Sequence, residues 1–520
     1  MPNQVQVATL IQQGFAHHEE GRFKEAQDIY EKVLRIQPNH FDALQLIGAI
    51  SLQFAEYQKA AEYFSKALEI NPNDGVFINL GIALQELQLL EEAIASYDNA
   101  IAVNPLCLNA HYNRGNILNQ LNRTEEAIFS FDNAIAIDPN FVMAYNNRGL
   151  SFQKTGRFKK ALEDYDNAIA IDPNFVMAYN NRGNILKYLN NPYDAIISYK
   201  KAIAINPDYI KAHYNLSLCQ LLIGEFNDGW KGYEYRWKDD EVKNHVGFKN
   251  WPEPLWLGNE NLKDKTILLY AEQGLGDTIQ FCRYVSLVAE LGAKVILEVQ
   301  PPLVKLLSNL EGVSKIFGRG DSLPRFDYQC PLLSLPLIFK TNLYSVPSLS
   351  NQIRADKNKI SIWQALLGEK TKLRIGLCWS TVDANKSLTL SQIMAYLPCD
   401  FEYISLQKEI RDIDLDLLAQ RPDIRHFGDK FVDFTDTAAL CELMDIVISI
   451  DTSVAHLAGT LAKPAWILLP YCPDWRWLLE RDDSPWYPTA KLNRQDKMGD
   501  WGSVLERVKI DLEKLHSLNN

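Results

Sequence analysis

A spacing of 34 residues dominates the N-terminal part of the chain and constrains its fold more than any other feature. A glycine and an aromatic residue recur in phase with this spacing, as in Gly149 and Tyr165. Such a period is typical of a helix–turn–helix unit that buries its apolar face by stacking on neighbouring units. We therefore expect about seven helical units between residues 4 and 238. Prolines that follow an aliphatic–polar pair mark the ends of the units, at Pro38, Pro72, Pro105, Pro139, Pro173 and Pro207.

The residues in phase predict how each unit packs. The glycine lets the first helix approach the second, whose aromatic side chain fills the space beside it. The proline ends the unit because it cannot continue a helix. Residues 132–149 recur unchanged at 166–183. The last unit runs into GWKGYEYRWKDDE and is expected to be a capping repeat that docks on the next domain. The array closely resembles the tetratricopeptide repeat family, and the resemblance implies an all-α superhelix.

An asparagine stands two places before the glycine, or before its replacement, in five consecutive units. In such arrays the first helix lines the inner surface, so stacked units present amides that can bond a peptide backbone. This arrangement resembles the O-linked N-acetylglucosamine transferase family and implies a protein or peptide acceptor as partner. Alternatively, the amides bond neighbouring helices within the array. The predicted ladder consists of Asn79, Asn113, Asn147, Asn181 and Asn215.

From about residue 263 short apolar runs alternate with helical stretches. This alternation predicts a doubly wound α/β architecture, with two Rossmann-like halves facing each other over a cleft. Residues 301–309 are among the predicted helices. The runs predicted as buried parallel strands are 266–271, 294–299, 373–379, 401–406, 445–450 and 465–470.

The same alternation predicts the limits of the domains. A linker is expected at 239–262, the first half at 263–355 and the second half at 372–498. A polar connection is expected between the halves, at 352–371. The final helix, 499–517, is expected to cross back and brace the first half.

The first candidate site is EQGLGDTIQF, residues 272–281, which follows a strand and opens a helix. Gly274 and Gly276 permit close approach of the backbone, and free N–H groups at a helix start favour an anion. Asp277 lies near the strand ends where ligands of α/β sheets bind, and its carboxylate can act as a general base. Alternatively, Asp277 only complements the helix dipole. Ile279 replaces the third glycine of a dinucleotide-binding motif, which argues against nicotinamide or flavin.

The second candidate site is SIDTSVAHLAGTLAKP, residues 449–464. Asp451, Thr452 and Ser453 follow a strand and cap a helix, and His456 lies in the first turn or so of that helix. Open N–H groups at the cap suit a diphosphate, which a neighbouring histidine can bond or neutralise. The alternative is a plain N-cap with a histidine on the surface.

Together these motifs resemble the heptosyltransferase-like glycosyltransferases of family 9, which have the two-domain GT-B fold. With the repeats, GLGDTIQFCRY and CPDWRWLLERDDSPWYPT, the chain closely resembles a group of bacterial repeat-containing glycosyltransferases. The resemblance implies a nucleotide-diphosphate sugar as co-substrate, Asp277 as the base, and Asp451, Thr452, Ser453 and His456 as donor-site residues. The family has a glycine where this chain has Ser453.

The loop after Trp379 departs from the family, whose members carry a longer polar loop. Here Lys386 is the one cation of the loop that can meet a phosphate, and Ser380 supplies a nearby hydroxyl. Gln407 and Lys408 follow the next strand and are expected at the cleft edge, where they read the base or the phosphate. They are otherwise solvated loop residues.

The aromatic stretch at 473–488 has two interpretations. Trp475 and Trp477 close the core under a long loop, or the rings stack on a sugar or base. Asp474 and Arg476 could then bond hydroxyl groups.

Composition restricts the function classes. The net charge of −12 argues against a nucleic-acid partner. The eight cysteines form no CxxC pair, which argues against a zinc site. No leader and no long apolar run is evident, so a cytoplasmic protein without a membrane span is expected.

The predicted activity is an inverting glycosyltransferase that needs no metal and no cofactor beyond its co-substrate. The acceptor is a protein hydroxyl or, as the heptosyltransferase-like half favours, a glycan or lipid-linked saccharide. The alternative is a scaffold with a degenerate transferase domain.

Overall fold

A computed structural model describes residues 2–240, 243, 249–348, 352–381, 383–384 and 386–519. The predicted linker therefore lies partly outside the described residues, as do Val382 and Asn385 of the shortened loop. The chain divides into two compact units, Met1–Ile185 and Leu186–Asn520. This division falls inside the sixth helical repeat, and the change from helical repeats to parallel sheets comes later in the chain. The domain limits predicted from the sequence therefore stay a prediction.

Helices occur in antiparallel pairs through the first unit, as the 34-residue period predicts. Most contain 13 or 14 residues. The helices are α1 Pro2–Glu19, α2 Phe23–Ile36, α3 Phe41–Gln53, α4 Tyr57–Ile70, α5 Asp74–Glu86, α6 Leu90–Val103, α7 Leu108–Gln120, α8 Thr124–Ile137, α9 Val142–Lys154, α10 Phe158–Ile171 and α11 Val176–Tyr188, the last of which continues into the second unit.

The recurrent glycines hold the two helices of a pair together closely. A methyl group placed on Gly149 would lie 2.7 Å from Cε1 of Tyr165, which is too close for a real contact. The same distance is 2.4 to 2.7 Å at Gly14, Gly48, Gly81 and Gly115. The paired aromatic rings are fully buried. The predicted packing of glycine against the aromatic residue is confirmed in these repeats.

The last repeat of the second unit docks on the α/β region. Trp230 donates from Nε1 to the Thr341 carbonyl at 3.1 Å, and its ring centre lies 5.2 Å from that of Trp475. Arg236 forms a fully buried ion pair with Glu272 at 2.8 Å. The helices before this junction are α12 Pro192–Ile205, α13 Ile210–Leu222 and α14 Phe226–Tyr233, followed by a 3-10 turn at Glu234–Trp237.

Two parallel sheets form the α/β region. The first has the order β3-β2-β1-β4 and the second the order β10-β9-β8-β5-β6-β7. Both orders reverse beside the first strand of the sheet, as in doubly wound folds, and ligands of such folds bind at the carboxyl ends of the strands there. The strands are β1 Thr266–Tyr270, β2 Lys294–Val299, β3 Val313–Gly318, β4 Tyr328–Pro331, β5 Arg374–Cys378, β6 Glu402–Ser405, β7 Ile424–Arg425, β8 Ile446–Ile450, β9 Ala465–Leu469 and β10 Ala490–Arg494.

The six predicted strands are present to within one residue at each end. The sequence did not predict β3, β4, β7 and β10, which are the edge strands of the two sheets. An edge strand need not be apolar throughout, because its open side and often one face meet solvent or a loop.

Helices cover the sheets, and two expectations about them are wrong. Residues 301–309 form only a 3-10 turn at Pro301–Leu303 and further turns. The expected connection at 352–371 contains a helix that was not predicted, anchored by buried Trp363. The helices are α15 Leu275–Phe281, α16 Val285–Glu290, α17 Leu335–Ile338, α18 Lys357–Leu367, α19 Leu390–Met394, α20 Asp412–Ala419, α21 Phe434–Glu442, α22 Ser453–Thr460 and α23 Trp501–Asn519.

The second correction concerns α23. It buries Val504 and Leu512 in the core of the second sheet, beside Ile375 and Leu377, and so covers its own half.

Candidate active site

A cavity of about 730 Å³ lies between the two sheets, within the size range of small-molecule sites. The first half contributes Leu275 and Pro302, and the second half contributes the segments after β5, β6 and β8. These are the carboxyl ends of strands beside the reversal of strand order, where ligands of doubly wound sheets bind. The predicted site residues that line the cavity are Ser380, Gln407, Lys408, Thr452 and Ser453.

Helix α22 begins at the cavity wall. Thr452 precedes the helix in extended backbone and makes no side-chain capping bond, because its hydroxyl lies instead 3.1 Å from the Ser449 hydroxyl. Ser453 and Val454, the first two residues of the helix, line the cavity. A helix start that its own N-cap side chain leaves open suits an anionic group.

Gln407 shapes the loop after β5. Its Oε1 accepts from the backbone N–H groups of Trp379 at 2.7 Å and Ser380 at 2.8 Å, and its Nε2 donates to the Ser380 hydroxyl at 2.9 Å. Gln407 is therefore a buried brace and not a solvated loop residue. Lys408 is exposed and lines the cavity.

Arg411 is a second cation of this cavity, and it was not predicted from the sequence. It is half-buried, and its Nη2 donates to the Leu388 carbonyl and to Asp414 Oδ2. Its position was a usable signal, because Arg411 lies in the segment that follows the predicted strand 401–406. However, a cation three places after Lys408 looks the same in the sequence as an ordinary surface residue.

Asp277 uses both of its carboxylate oxygens. Oδ2 accepts from the Gly274 N–H at 2.9 Å, which caps the start of α15. Oδ1 forms an ion pair with Nη2 of Arg476, from the second half. The capping role weighed as an alternative is therefore real, and it accounts for one of the two oxygens.

Asp277 is one of five charged groups of alternating sign that lie together here. Arg476 also pairs with Asp474 at 2.8 Å, and Lys386 pairs with Asp451 at 2.6 Å. Burial opposes ionisation of Asp474, but Arg476 and Lys386 outweigh it and lower its pKa to about 2. Burial likewise opposes the charge of Lys386, whose pKa Asp451 nevertheless raises. Asp474, Lys386 and Arg476 therefore remain charged at neutral pH.

His456 is buried and is not the surface histidine of the plain-cap interpretation. Its Nδ1 lies 2.9 Å from the Tyr487 hydroxyl, and its ring stacks on that of Trp477 with 5.3 Å between centres. Nε2 lies 3.8 Å from Asp451 Oδ1. Burial lowers the pKa of His456 to about 4. The imidazole is therefore neutral near pH 7, so it can bond a diphosphate but cannot neutralise one.

Gly276 brings the two sequence motifs into contact. A methyl group added there would lie 2.6 Å from His456 Cδ2 and 3.4 Å from Ser453 Cα. The missing side chain thus lets α15 approach α22, and no diphosphate is needed to explain the glycine. Gly274 and Gly276 are not among the residues that line the large cavity; their donor-binding role stays a prediction, as do those of Asp451 and His456.

A smaller cavity of about 320 Å³ adjoins the charged groups. Lys386, Asp474 and Arg476 line it together with Tyr214 and Leu218 of α13. Lys386 was expected to meet the donor phosphate, but it faces this smaller cavity and is already paired with a carboxylate.

The asparagines of the repeats bond one another. Asn147 Nδ2 donates to the Tyr112 hydroxyl at 3.1 Å and to Asn116 Oδ1 at 2.8 Å, and its Oδ1 accepts from Asn146. Asn181 donates to Asn146 Oδ1 at 2.9 Å. These two ladder residues therefore link neighbouring helices, as the alternative interpretation held. Peptide binding by the ladder stays a prediction.

Comparison with known families supports the assignment of the helical repeats. Sequence models described as tetratricopeptide repeat or TPR repeat match residues 6–73, 75–105, 115–156, 142–175 and 176–209. The N-terminal repeats are tetratricopeptide repeats.

Two curated proteins are similar over part of the chain. Protein FlbA of Caulobacter vibrioides is 23% identical over 325 residues, which cover 55% of this chain and 52% of FlbA. Protein O-mannosyl-transferase TMTC1 of Mus musculus is 31% identical over 100 residues, which cover 18% of this chain and 11% of TMTC1. The chain thus spans about half of the first relative and about a tenth of the second.

Solved structures of repeat proteins align with part of the chain. A crystal structure of MamA is 25% identical, with a TM-score of 0.30, and covers 31% of this chain and 94% of MamA. A crystal structure of YrrB, described as a TPR protein with an unusual peptide-binding site, is 21% identical, with a TM-score of 0.32. It covers 35% of this chain and 95% of YrrB.

Two further features were sought throughout the described part of the chain. None of its helices has both the length and the apolar character needed to cross a membrane. Within the same residues, no group of three or more His, Cys, Asp or Glu side chains is arranged to hold a metal ion.

Proposed function

We propose that the α/β region is a glycosyltransferase of the GT-B type, which moves a sugar from a nucleotide-diphosphate donor to a hydroxyl group with inversion. One observation carries the proposal. Helix α15, which carries Asp277, and the open start of α22 come from opposite halves, and Gly276 brings them into contact beside a cavity of about 730 Å³. A base and an anion site placed together in this way suit the attack of a hydroxyl on a carbon that bears a diphosphate leaving group.

The large cavity is the proposed donor site. The N–H groups at the start of α22 would bond the diphosphate, and Lys408 and Arg411 would supply positive charge. Neutral His456 would act as a hydrogen-bonding neighbour and not as a counter-charge. These groups stabilise the negative charge that builds up on the departing nucleoside diphosphate.

Asp277 is the proposed general base. As the acceptor oxygen bonds to the anomeric carbon, the bond from that carbon to the diphosphate oxygen breaks, and Asp277 takes the hydroxyl proton. Attack from the face opposite the leaving group inverts the configuration. No metal is required, because helix N–H groups and cations stabilise the leaving group.

The smaller cavity is the proposed approach of the acceptor. It lies between the charged groups around Asp277 and the helix α13 of the last repeat. An acceptor held against α13 would therefore approach the base from this side. Both classes of acceptor, a protein hydroxyl and a glycan or lipid-linked saccharide, stay open; the likeness to TMTC1 lies within the repeats and does not bear on the catalytic region.

A second candidate is a scaffold that binds partners through its repeats and no longer transfers sugars. One observation favours it: Lys386, the cation of the shortened loop, pairs with Asp451 and lines the smaller cavity but not the large one. A scaffold of this kind would bind no nucleotide.

Nucleotide binding separates the two candidates. The full chain is heated with a panel of nucleoside diphosphates, and its unfolding is followed by tryptophan fluorescence. A transferase is stabilised by about 2.7 kcal/mol at one hundred times the dissociation constant. No stabilisation by any nucleoside diphosphate would leave only the scaffold.

Turnover then tests the base. Nucleotide sugars are screened for hydrolysis or transfer, and Asp277→Ala is expected to lower turnover by about 100-fold or more. Donor affinity should change little, since Asp277 does not line the donor cavity. Asp483→Ala, on the surface of the same region, is the control. Unchanged turnover in the Asp277 variant would remove it as the base.

A further inference from the structure

Arg476 joins the two halves at the point where the chemistry is proposed to occur. It lies in a 3-10 turn after β9, with its side chain only 8% exposed. Nη2 pairs with Asp277 of the first half, and Nη1 pairs with Asp474 of its own turn at 2.8 Å. The guanidinium also lies 4.2 Å from the centre of the Trp475 ring, which restricts its orientation.

The geometry assigns Arg476 as the positioning residue of the proposed general base. It fixes the plane of the Asp277 carboxylate, while Asp474 holds the guanidinium and shares its charge. This role rests on the proposed function, and it adds to that function a residue that acts through Asp277.

Fixing the carboxylate needs two contacts, and the structure supplies them from different elements. The Gly274 N–H holds Oδ2 and Arg476 holds Oδ1, so the carboxylate cannot rotate freely about its Cβ–Cγ bond. A base misplaced by about 1 Å can lose about 100-fold in rate.

Sharing the guanidinium prevents Arg476 from over-binding the base. A guanidinium devoted to one carboxylate occupies both of its oxygens. Here one arm is held by Asp474, which leaves Asp277 with a single contact to Arg476 and keeps part of Oδ2 for the acceptor. Lysine could not replace this arrangement, because an ammonium is a point charge without the two-armed geometry.

A purely structural role predicts different kinetics. Arg476 packs against Trp475 and Phe281, so its removal also loosens the contact between the halves. Loosening alone would lower stability and weaken donor binding together. A positioning role lowers kcat while the donor KM stays constant.

The test compares kcat and KM of Arg476→Lys and Arg476→Ala with those of the intact chain, in the nucleotide-sugar assay. Both variants are expected to lose about 10- to 100-fold in kcat, with donor KM within about twofold of the original. Added methylguanidinium should restore part of the kcat of Arg476→Ala, because Arg476 lines the smaller cavity and the cation can enter there. Arg481→Ala, in the following surface pair with Asp483, is the matched control and should leave both constants unchanged.

A variant that preserves Arg476 guards against a failure to fold. Asp474→Asn removes the charge that holds the second arm of the guanidinium and is expected to lower kcat by about 10-fold at constant donor KM. An unchanged kcat in both Arg476→Lys and Asp474→Asn would overturn the positioning role alone. Absence of both nucleotide binding and turnover in the intact chain would overturn the proposed function, and this role with it.

Discussion

Charged side chains are arranged differently in the tetratricopeptide repeats and in the cleft of the α/β region. In the repeats an arginine before the glycine pairs with an aspartate sixteen residues earlier, as in Arg148 with Asp132 and Arg182 with Asp166. The acids of these pairs are about half exposed. In the cleft and at the docking junction the charges are buried, as in Arg476 and in the Arg236–Glu272 pair.

The exposed pairs are part of the stacking of one repeat on the next. The buried charges need a different explanation. An exposed ion pair contributes about 0–1 kcal/mol, so a periodic one is a minor part of the packing. A buried pair is often no more stabilising than apolar residues of similar size, although removing one partner is costly. The Arg236–Glu272 pair fixes how the last repeat docks. The charges around Asp277 include its pair with Arg476, which joins the two halves of the α/β region, and the proposed catalysis would give these charges a further role.

The largest expected effect comes from the fully buried pair. Glu272→Ala should destabilise the second unit by about 3–5 kcal/mol, because Arg236 is left buried without its main counter-charge. All eleven tryptophans lie at or after residue 230, so the urea midpoint of tryptophan fluorescence reports this unit alone. The double change Arg236→Met with Glu272→Leu should recover much of the loss. A cost below about 1 kcal/mol for the single change would place this pair with the surface pairs.

The next effect is a dependence of stability on pH through His456. Its pKa falls from 6.5 to about 4 on folding, so the unfolded chain binds more protons between these values. The free energy of unfolding is therefore highest above about pH 6.5. It decreases by about 3 kcal/mol in all as the pH falls towards 4. His456→Gln should flatten this part of the fluorescence-detected profile, whereas His18→Gln in the first unit should not. Identical slopes in the parent and the His456 variant would contradict the burial of a neutral imidazole.

A smaller effect is expected from the glycines of the repeats. Gly149→Ala forces a methyl group against Tyr165 and should cost about 1–2 kcal/mol, after allowance for the better helix propensity of alanine. Circular dichroism at the helix minimum measures it. Gly75→Ala, where the nearest atom is a side-chain oxygen at 3.3 Å, should be neutral or slightly stabilising. Equal effects of the two changes would show that close packing of the helix pair is not the reason for the glycine.

The smallest effect belongs to the exposed pairs. Asp166→Ala removes one partner of Arg182, whose side chain is 31% exposed, and should cost less than about 1 kcal/mol. The same helix signal measures it, and raising the salt concentration should reduce the difference further. A cost comparable with that of Glu272→Ala would erase the distinction between the two regions.

The strands show how far sequence reasoning reached in the fold. Central strands such as β1 and β8 are buried on both faces, so they can be predicted from their apolar runs. Edge strand β3, with sequence VSKIFG, is only partly buried, and β10, AKLNR, carries polar residues along an edge. The residues of such a strand do not by themselves distinguish it from a loop, because it becomes a strand only through hydrogen bonds to the neighbouring strand.

The candidate site divides in the same way. Asp277 and the 451–456 segment were predicted, since a strand end followed by a helix start is a local pattern. The pairing of Asp277 with Arg476, 199 residues later, has no local signal. The cavity that Lys386 faces depends likewise on its partner Asp451, which comes from another strand end.

The sequence by itself determined the repeats, the central strands and the location of both motifs. These features follow from the spacing of residues along the chain and from residues that are close in sequence, both of which can be read within a single segment. The tertiary structure decided the edge strands, the neutral state of His456 and the partners of Asp277. Burial and long-range charge pairs exist only once distant segments are packed together, and no spacing along the chain records them.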